Sequence, residues 1–369
     1  MFGVVFDHRT TPMRDETGLT SDVVDADALR RWAAEVLQRQ NLGVEDATLV
    51  ANCLVQTSLW GIDTHGIARL PHYLNRLDRG SIEAKPALKV ERTGPATASV
   101  DGGHGLGMVV CDAAMNQAIQ CAEEAGAGVV GCYHSSHCGA IGLYGRQAAA
   151  RGMIGIAFTH SDAFVAPHAG RHAFLGTNPI CIAVPSAEGE PVCLDTATSI
   201  IPFNRVMNAR RDGVSLPPGT AIDAEGEPTT DAEAARSLLP FAEHKGYALG
   251  FMIDVLCGLL NGMTFGPHIA AMYGDLEARR NLGSLMMAID PGRFFGGDAL
   301  AVEVARMAAE ARAMPAREGA EVLAPGDPEY RCERQRRRDG IPVEPGLAAE
   351  IRDWSQRLHI EAPPLRAAS

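Results

Sequence analysis

The chain has 369 residues, of which 46% are apolar and 21% charged. That composition excludes disorder over most of the length and suits one large domain or two interwoven ones. With 33 basic against 45 acidic residues, the net charge of −12 argues against nucleic acid or an anionic membrane as partner, while a local basic pocket for a small anion remains open.

Residues 1–22 lack hydrophobic periodicity and are expected to form a loose arm. Asp7, His8 and Arg9 interrupt its apolar start, so no signal peptide is expected. Helical periodicity begins over 25–37, with Leu29, Trp32, Ala33 and Val36 on one stripe, and resumes over 45–60, with Leu49, Val50, Cys53 and Leu54 inward. A third helix is predicted over 64–77, carrying Leu70, Tyr73, Leu74 and Leu77 at helical spacing. Asp63 or Thr64 would cap it. Residues 23–85 thus form a helical domain, which 330–369 are expected to complete through a helix near 347–358.

The pattern changes at Pro86. Short strands are expected at 88–91 and 98–101, then a glycine-rich turn at Gly102, Gly103, Gly105 and Gly107 and a helix over 109–125. Buried runs at 128–132, 154–158, 180–184 and 192–194 read as strands, with a helix over 141–151 between the first two. A polar stretch, 208–231, leads to an apolar helix over 247–260, a strand over 285–289 and a helix over 298–314. The apolar segment contains Asp254 and several glycines, which makes it a buried core helix rather than a membrane span. Residues 86–329 therefore read as an α/β domain for cofactor and substrate, with a possible sub-domain at 200–290.

The nine cysteines include no CxxC pair and sit mostly in apolar runs, as buried thiols of a reducing cytoplasm do. Only three lysines occur, Lys85, Lys89 and Lys245, so Lys245 within His244-Lys245-Gly246 stands out as a candidate anion ligand. The five arginines between Arg331 and Arg338 read as a solvated helix face. One apparent motif is set aside. Gly126-Ala127-Gly128-Val129-Val130-Gly131 matches GxGxxG, but a helix precedes it and a strand follows, the reverse of the order that brings a phosphate to a helix N-terminus. It reads as a helix C-cap and turn.

The chemistry-bearing residues cluster in a few segments. On one helix His65, Arg69 and Tyr73 would fall at i, i+4 and i+8 and share a face. That face offers a group titrating near neutrality, a planar cation able to grip a carboxylate, and a phenol; it is equally consistent with an exposed polar face. A first-turn histidine would be held neutral by the positive helix end. Cys132 to Gly139, containing His134 and His137, follows a predicted strand, as does Thr159-His160-Ser161-Asp162, with His168 and His172 beyond. Asp195-Thr196-Ala197-Thr198-Ser199 leaves another strand with a carboxylate and hydroxyls suited to a ribose, a phosphate or an imidazole.

These segments, in this order, resemble the second type of malate/L-lactate dehydrogenase, a family that includes ureidoglycolate and sulfolactate dehydrogenases, diketogulonate reductase and piperideine-2-carboxylate reductase. The landmarks are Thr64-His65-Gly66 with Arg69 and Tyr73, Ser136-His137 before Gly139, Gly176-Thr177-Asn178-Pro179, Asp195 to Ser199, Lys245-Gly246 and Pro325-Gly326, spread from near Asp25 to near Ile360. The resemblance implies an α/β fold with helical N- and C-terminal parts around a mixed-sheet, non-Rossmann domain binding NAD or NADP, in a cytoplasmic homodimer. It implies hydride transfer between nicotinamide and a small 2-oxo acid, 2-hydroxy acid or cyclic imino acid. His65 would be the proton donor, with Thr64, where serine is typical, and Asp195 as relay; His137 is the second acid/base candidate. Arg69, Tyr73, His137, Ser161 and Lys245 would contact substrate. Ser161, Asp195, Thr196, Ala197, Thr198, Ser199, His244, Lys245, Gly326 and Asp327 would contact cofactor. Two rival readings remain at this stage: a metal-dependent hydrolase or lyase using His134, His137, His160, His168 and His172, and a non-catalytic relative.

Overall fold

The structure, a computed structural model, describes residues 22–367; the expected arm, apart from Asp22, lies outside the described residues. The chain opens with strand β1 (Asp22–Val24) and helices α1 (Ala26–Arg39), α2 (Val44–Leu59) and α3 (Leu70–Asp78). Asp25 caps α1 by accepting from the N–H groups of Asp27 and Ala28, which have no partner within the helix. Strands β2 (Lys89–Arg92) and β3 (Thr97–Asp101) follow, then α4 (Gly107–Ala125), β4 (Ala127–Ser135), α5 (Gly142–Ala149), β5 (Ile154–Thr159), β6 (Ile180–Val184) and β7 (Val192–Thr196). The next region holds α6 (Phe203–Asp212) and short strands β8 (Ala221–Ile222), β9 (Pro228–Thr229) and β10 (Ser237–Leu238). The chain ends with α7 (His244–Cys257), β11 (Leu282–Ile289), α8 (Gly297–Arg312), α9 (Asp327–Asp339), β12 (Ile341–Val343), α10 (Pro345–Leu358) and β13 (Leu365–Ala367).

The central sheet has seven strands in the order β2-β3-β4-β11-β5-β6-β7, and only β3 and β4 run parallel. It is a mixed sheet without the all-parallel winding of a dinucleotide fold. Gly126 ends α4 in the left-handed conformation, φ +86°, and β4 begins at the next residue, so the GxGxxG letters are a helix cap and a strand. Helices α4 and α5 cover one face. Gly128 on that face packs directly on the Ala118 backbone, while Gly131 on the other face abuts Asn261, just beyond α7.

Three apolar cores result. The first joins α1, α2 and α3 to the end of the chain through Ile341, Val343, Ile351 and Trp354. The Trp32 indole N–H donates to Ser355 Oγ at 2.8 Å, and β1 lies between β12 and β13. The second core fills the sheet face under α4 and α5, and the third holds Val206, Ala209 and Leu238 around α6 and β8–β10. The polar stretch over 208–231 completes α6 and supplies β8 and β9.

Two buried arginines fix the segment between α7 and β11. Arg76, only 2% exposed, donates to the carbonyls of Ala271, Met272 and Ala278. Arg280 donates to the Ala270 carbonyl and pairs with Asp162, whose other oxygen accepts from the Met272 N–H at 3.0 Å. Ser81 Oγ adds a 2.6 Å bond to the Leu276 carbonyl. A segment with only short 3-10 turns between the two elements is thereby held by charge-assisted hydrogen bonds to its own backbone.

Two predictions follow from this packing. Asp162→Asn leaves Arg280 buried without its counter-charge and should lower unfolding free energy by about 3–5 kcal/mol. Trp354→Ala should cost a similar ~3–5 kcal/mol by emptying the shared terminal core, whereas Val90→Ala on the exposed β2 should stay within about 0.5 kcal/mol. Equilibrium urea unfolding of the three variants checks both.

Candidate active site

The side chains singled out by chemistry meet where the helical layer touches the end of β4. The helix predicted over 64–77 is not continuous. Asp63–His65 and Ile67–Arg69 are separate 3-10 turns, and α3 starts only at Leu70. Gly66 lies between them in extended geometry, pressed against the end of α2. A Cβ at Gly66 would stand 2.2 Å from Ser58 Oγ, and the Ile67 N–H donates to that oxygen at 2.9 Å. Pro71 then falls in the first turn of α3, where its missing N–H has no helical partner to lose. Neither Asp63 nor Thr64 caps a helix. The Asp63 carboxylate is held by both terminal nitrogens of Arg336 on α9, so one of the arginines read as solvated instead secures this turn.

The broken backbone still gathers the expected residues. The rings of His65 and His137 stack with centroids 5.5 Å apart, and the Tyr73 ring is 6.0 Å from that of His137. The Tyr73 hydroxyl lies 2.6 Å from His137 Nδ1, and the Gly139 N–H points at the same nitrogen from 3.3 Å. A backbone N–H can only donate, so Nδ1 carries a lone pair, Tyr73 donates to it, and the His137 proton sits on Nε2. Burial, then the charges of His65, Arg69 and Arg280, hold the His137 pKa well below its ordinary value. The His65 pKa falls to about 4, first through burial and then through Arg69. A helix dipole is not the cause, because the turn is only three residues long. Thr64 Oγ1 stands 3.0 Å from His65 Nδ1. Arg69 donates from Nε and Nη2 to the Thr64 carbonyl at 3.1 and 2.8 Å, and from Nη1 to the Tyr273 hydroxyl at 2.9 Å.

Asp195 on β7 stands elsewhere. Its Oδ2 accepts from the Gly142 N–H at 2.8 Å at the start of α5, and no hydrogen bond joins it to Thr64 or His65. Burial raises its pKa to about 6 despite the Gly142 bond and the Arg146 charge. Arg146 stacks on Trp60 at 4.2 Å and donates to the Tyr330 hydroxyl, tying α5 to α2 and α9.

A continuous wall leads from His137 to α7. Arg280, close enough to depress the His137 pKa, pairs with Asp162, the neighbour of Ser161. The Ser161 N–H donates to Asn178 Oδ1 at 3.3 Å, and Asn178 Nδ2 donates to the Gly250 carbonyl in α7 at 2.9 Å. Asn178 is fully buried at φ +30°, a conformation its two side-chain bonds support. Thr198 bonds to the Thr177 carbonyl and accepts the Phe241 N–H, which places the 195–199 segment beside the start of α7. There His244 and Lys245 are exposed on a helix end with no side-chain cap. Thr196 and Ala197 are half-buried along the same edge, and the Ser199 hydroxyl donates to the Ile201 carbonyl. At the other end of β7, the Cys193 N–H donates to the Pro325 carbonyl. Gly326 precedes α9, and Asp327 is held by Arg312 and the Ala324 N–H.

The histidines of the metal reading are dispersed. His134 bonds to Asp101 at 3.0 Å, His160 is buried between Asp254 and the Gly283 N–H, and His168 meets His244 edge-on. Among the described residues no group of three His, Cys, Asp or Glu side chains is arranged to hold a metal ion. Tyr273, Asn204, Arg280 and Arg146 were not identified from sequence. Arg146 lies in the helix expected over 141–151 and the other three outside the chemistry-bearing segments, and only the fold brings them to the site.

The family described as malate/L-lactate dehydrogenase matches residues 24–352. The chain is 38% identical over 328 residues to L-sulfolactate dehydrogenase of Methanothermobacter thermautotrophicus, covering 88% of this chain and 94% of that protein. It is 35% identical to the NAD(+)-dependent ureidoglycolate dehydrogenase of Escherichia coli K12, covering 87% and 92% of the two chains. The solved sulfolactate dehydrogenase of Methanocaldococcus jannaschii superposes with a TM-score of 0.87 at 33% identity, covering 92% of this chain and 98% of that one. A family match over most of the length, relatives named as hydroxy-acid dehydrogenases and the same mixed-sheet architecture lead to one conclusion: the chain is an oxidoreductase and belongs to the malate/L-lactate dehydrogenase family.

Proposed function

We propose that this protein transfers hydride between NAD or NADP and a small 2-oxo or 2-hydroxy acid, or a cyclic imino acid, with His65 as the proton-transfer residue. The observation that carries the reading is the stacked His65–His137 pair beside Arg69, with the His137 tautomer fixed by Tyr73 and Gly139. A homodimer in a reducing cytoplasm is the accompanying expectation. The family resemblance favours the assembly, and nine unpaired cysteines, eight of them buried, favour the compartment.

The residues present fit a nicotinamide dinucleotide. Lys245 and His244, exposed at the start of α7 where the helix dipole is positive, are suited to a pyrophosphate, while the N–H groups of Lys245, Gly246 and Tyr247 are already bonded to the carbonyls of Ala242, Phe241 and Glu243. The Thr198 segment and the Gly326–Asp327 turn lie at opposite ends of the edge strand β7. When bound, the nicotinamide supplies or accepts the hydride.

The protein's own groups do the rest. Arg69 holds the substrate carboxylate and so orients C2, which is catalysis by positioning. His137 presents its Nε2–H to the C2 oxygen, the only proton its tautomer offers. His65 exchanges a proton with that oxygen through Nε2, since its Nδ1 faces Thr64. The Thr64 hydroxyl begins a path for that proton. Asp195 seats the start of α5, and its raised pKa fits a carboxyl that takes up protons near neutrality.

The neutral state of His65 sets a direction. In the free enzyme its pKa is about 4, so the imidazole is neutral, and able to act as base, throughout the physiological range. For hydroxy-acid oxidation, kcat/KM should be flat across neutral pH as far as this group is concerned and should fall only as pH drops through about 4. For reduction the protonated form is needed, so kcat/KM should decline by up to about tenfold per pH unit as pH rises above that value. Opposite pH profiles in the two directions, followed at the reduced-nicotinamide absorbance with a panel of 2-oxo and 2-hydroxy acids, test the assignment. His65→Gln should lower kcat by roughly 100-fold or more. Full turnover in that variant would exclude the proton-transfer role.

A further inference from the structure

We propose that Tyr273 and Asn204 form a latch that holds the Arg69 guanidinium in its carboxylate-receiving orientation, making Tyr273 a positioning residue for substrate binding. The inference rests on the reading of Arg69 as the carboxylate ligand and extends it to two residues outside the family landmarks.

The Tyr273 hydroxyl accepts from Arg69 Nη1 at 2.9 Å and lies 2.9 Å from Asn204 Oδ1. A phenol has a single proton. Donated to Asn204, it turns the oxygen lone pairs toward Arg69, so Asn204 sets the polarity of the contact. The Thr64 carbonyl takes the Nε edge of the same guanidinium, through Nε and Nη2. One N–H on each terminal nitrogen is then left over for a substrate carboxylate.

Tyr273 has no part in a core. It is 44% exposed, and its ring lies against Arg69 with 5.7 Å between Cζ and the ring centroid. The backbone immediately before it is nonetheless tethered by buried charged side chains. Arg76 binds the carbonyls of Ala271 and Met272, and Asp162 binds the Met272 N–H. An exposed side chain on a rigid, polar-clamped backbone is pre-organised for its hydroxyl contact. The three partners also come from three regions. Arg69 follows the first helical layer, Asn204 opens α6 beside the third core, and Tyr273 precedes β11. The latch therefore makes the orientation of the substrate-binding cation depend on how α6 sits against the helical layer.

The test uses Tyr273→Phe, Asn204→Ala and the double variant in the full chain. Two quantities are read: KM values for a 2-oxo acid and for reduced nicotinamide, and the rate at which phenylglyoxal modifies Arg69, followed by peptide mass spectrometry. The latch predicts that Tyr273→Phe raises the 2-oxo acid KM by roughly tenfold, the scale of one hydrogen bond to a charged group. It predicts an unchanged nicotinamide KM, an unchanged melting temperature and several-fold faster modification of Arg69. Asn204→Ala should have a smaller effect in the same direction and add nothing to Tyr273→Phe. An unchanged 2-oxo acid KM, an unchanged Arg69 reactivity, or a parallel rise in both KM values with a lowered melting temperature overturns the latch. If the unaltered protein reduces no 2-oxo or imino acid, the proposed function fails, and the Arg69 modification rates alone decide the latch.

Discussion

The hydrogen bond from the Tyr73 hydroxyl to His137 Nδ1 is the contact on which the site depends. It joins the helical layer, through α3, to the loop leaving β4. It also settles a chemical question, because an acceptor Nδ1 obliges His137 to present its proton from Nε2. Remove that contact and two things loosen together: the register between the two cores and the tautomer of one imidazole. Burial supports the arrangement by penalising charge, which keeps both stacked histidines neutral and lets them lie against one another without repulsion. Arg69 beside them, with Arg280 behind and paired to Asp162, then gives the local field its positive sign.

Around this centre the protein uses arginine for two separate purposes. Arg76, Arg280 and Arg336 are spent internally, on backbone carbonyls or on one carboxylate each. They fasten the irregular backbone before β11 and the turn at Asp63, where no α-helix or strand hydrogen bonds do so. Arg69 has internal partners too, but they leave part of its fork unused. The distinction is geometric and would be invisible in a count of arginines, in which all thirty look alike.

How far the sequence speaks can be judged element by element. Periodicity located α1 and α2 closely, because each has a wide apolar stripe, and the buried runs that became β4, β5 and β6 were short enough to be read as strands. The misplaced GxGxxG was recognisable because the order of helix and strand around it was wrong. The segment over 64–77 misled because the helical spacing of Leu70, Tyr73, Leu74 and Leu77 was extended back through Gly66 to Thr64, while the break there is imposed by Ser58 on another helix. No local pattern reports such a close approach. The loop before β11 was opaque for a similar reason: its tethers, Arg76 and Asp162, lie 195 or more and 110 residues away in sequence. Tyr273 and Asn204 acquire meaning only once those tethers are in place.

The small sheet in which β1 lies between β12 and β13 carries a consequence for synthesis on the ribosome. The first strand emerges long before its neighbours, which lie more than 300 residues later in the chain. The helical layer therefore cannot close its core until residues 341–367 have been made, and its apolar stripes must wait, exposed, while the central sheet assembles. A nascent chain of this design favours escorts that shield hydrophobic helices, and a truncated message would yield a product whose beginning, rather than its end, is left unfinished.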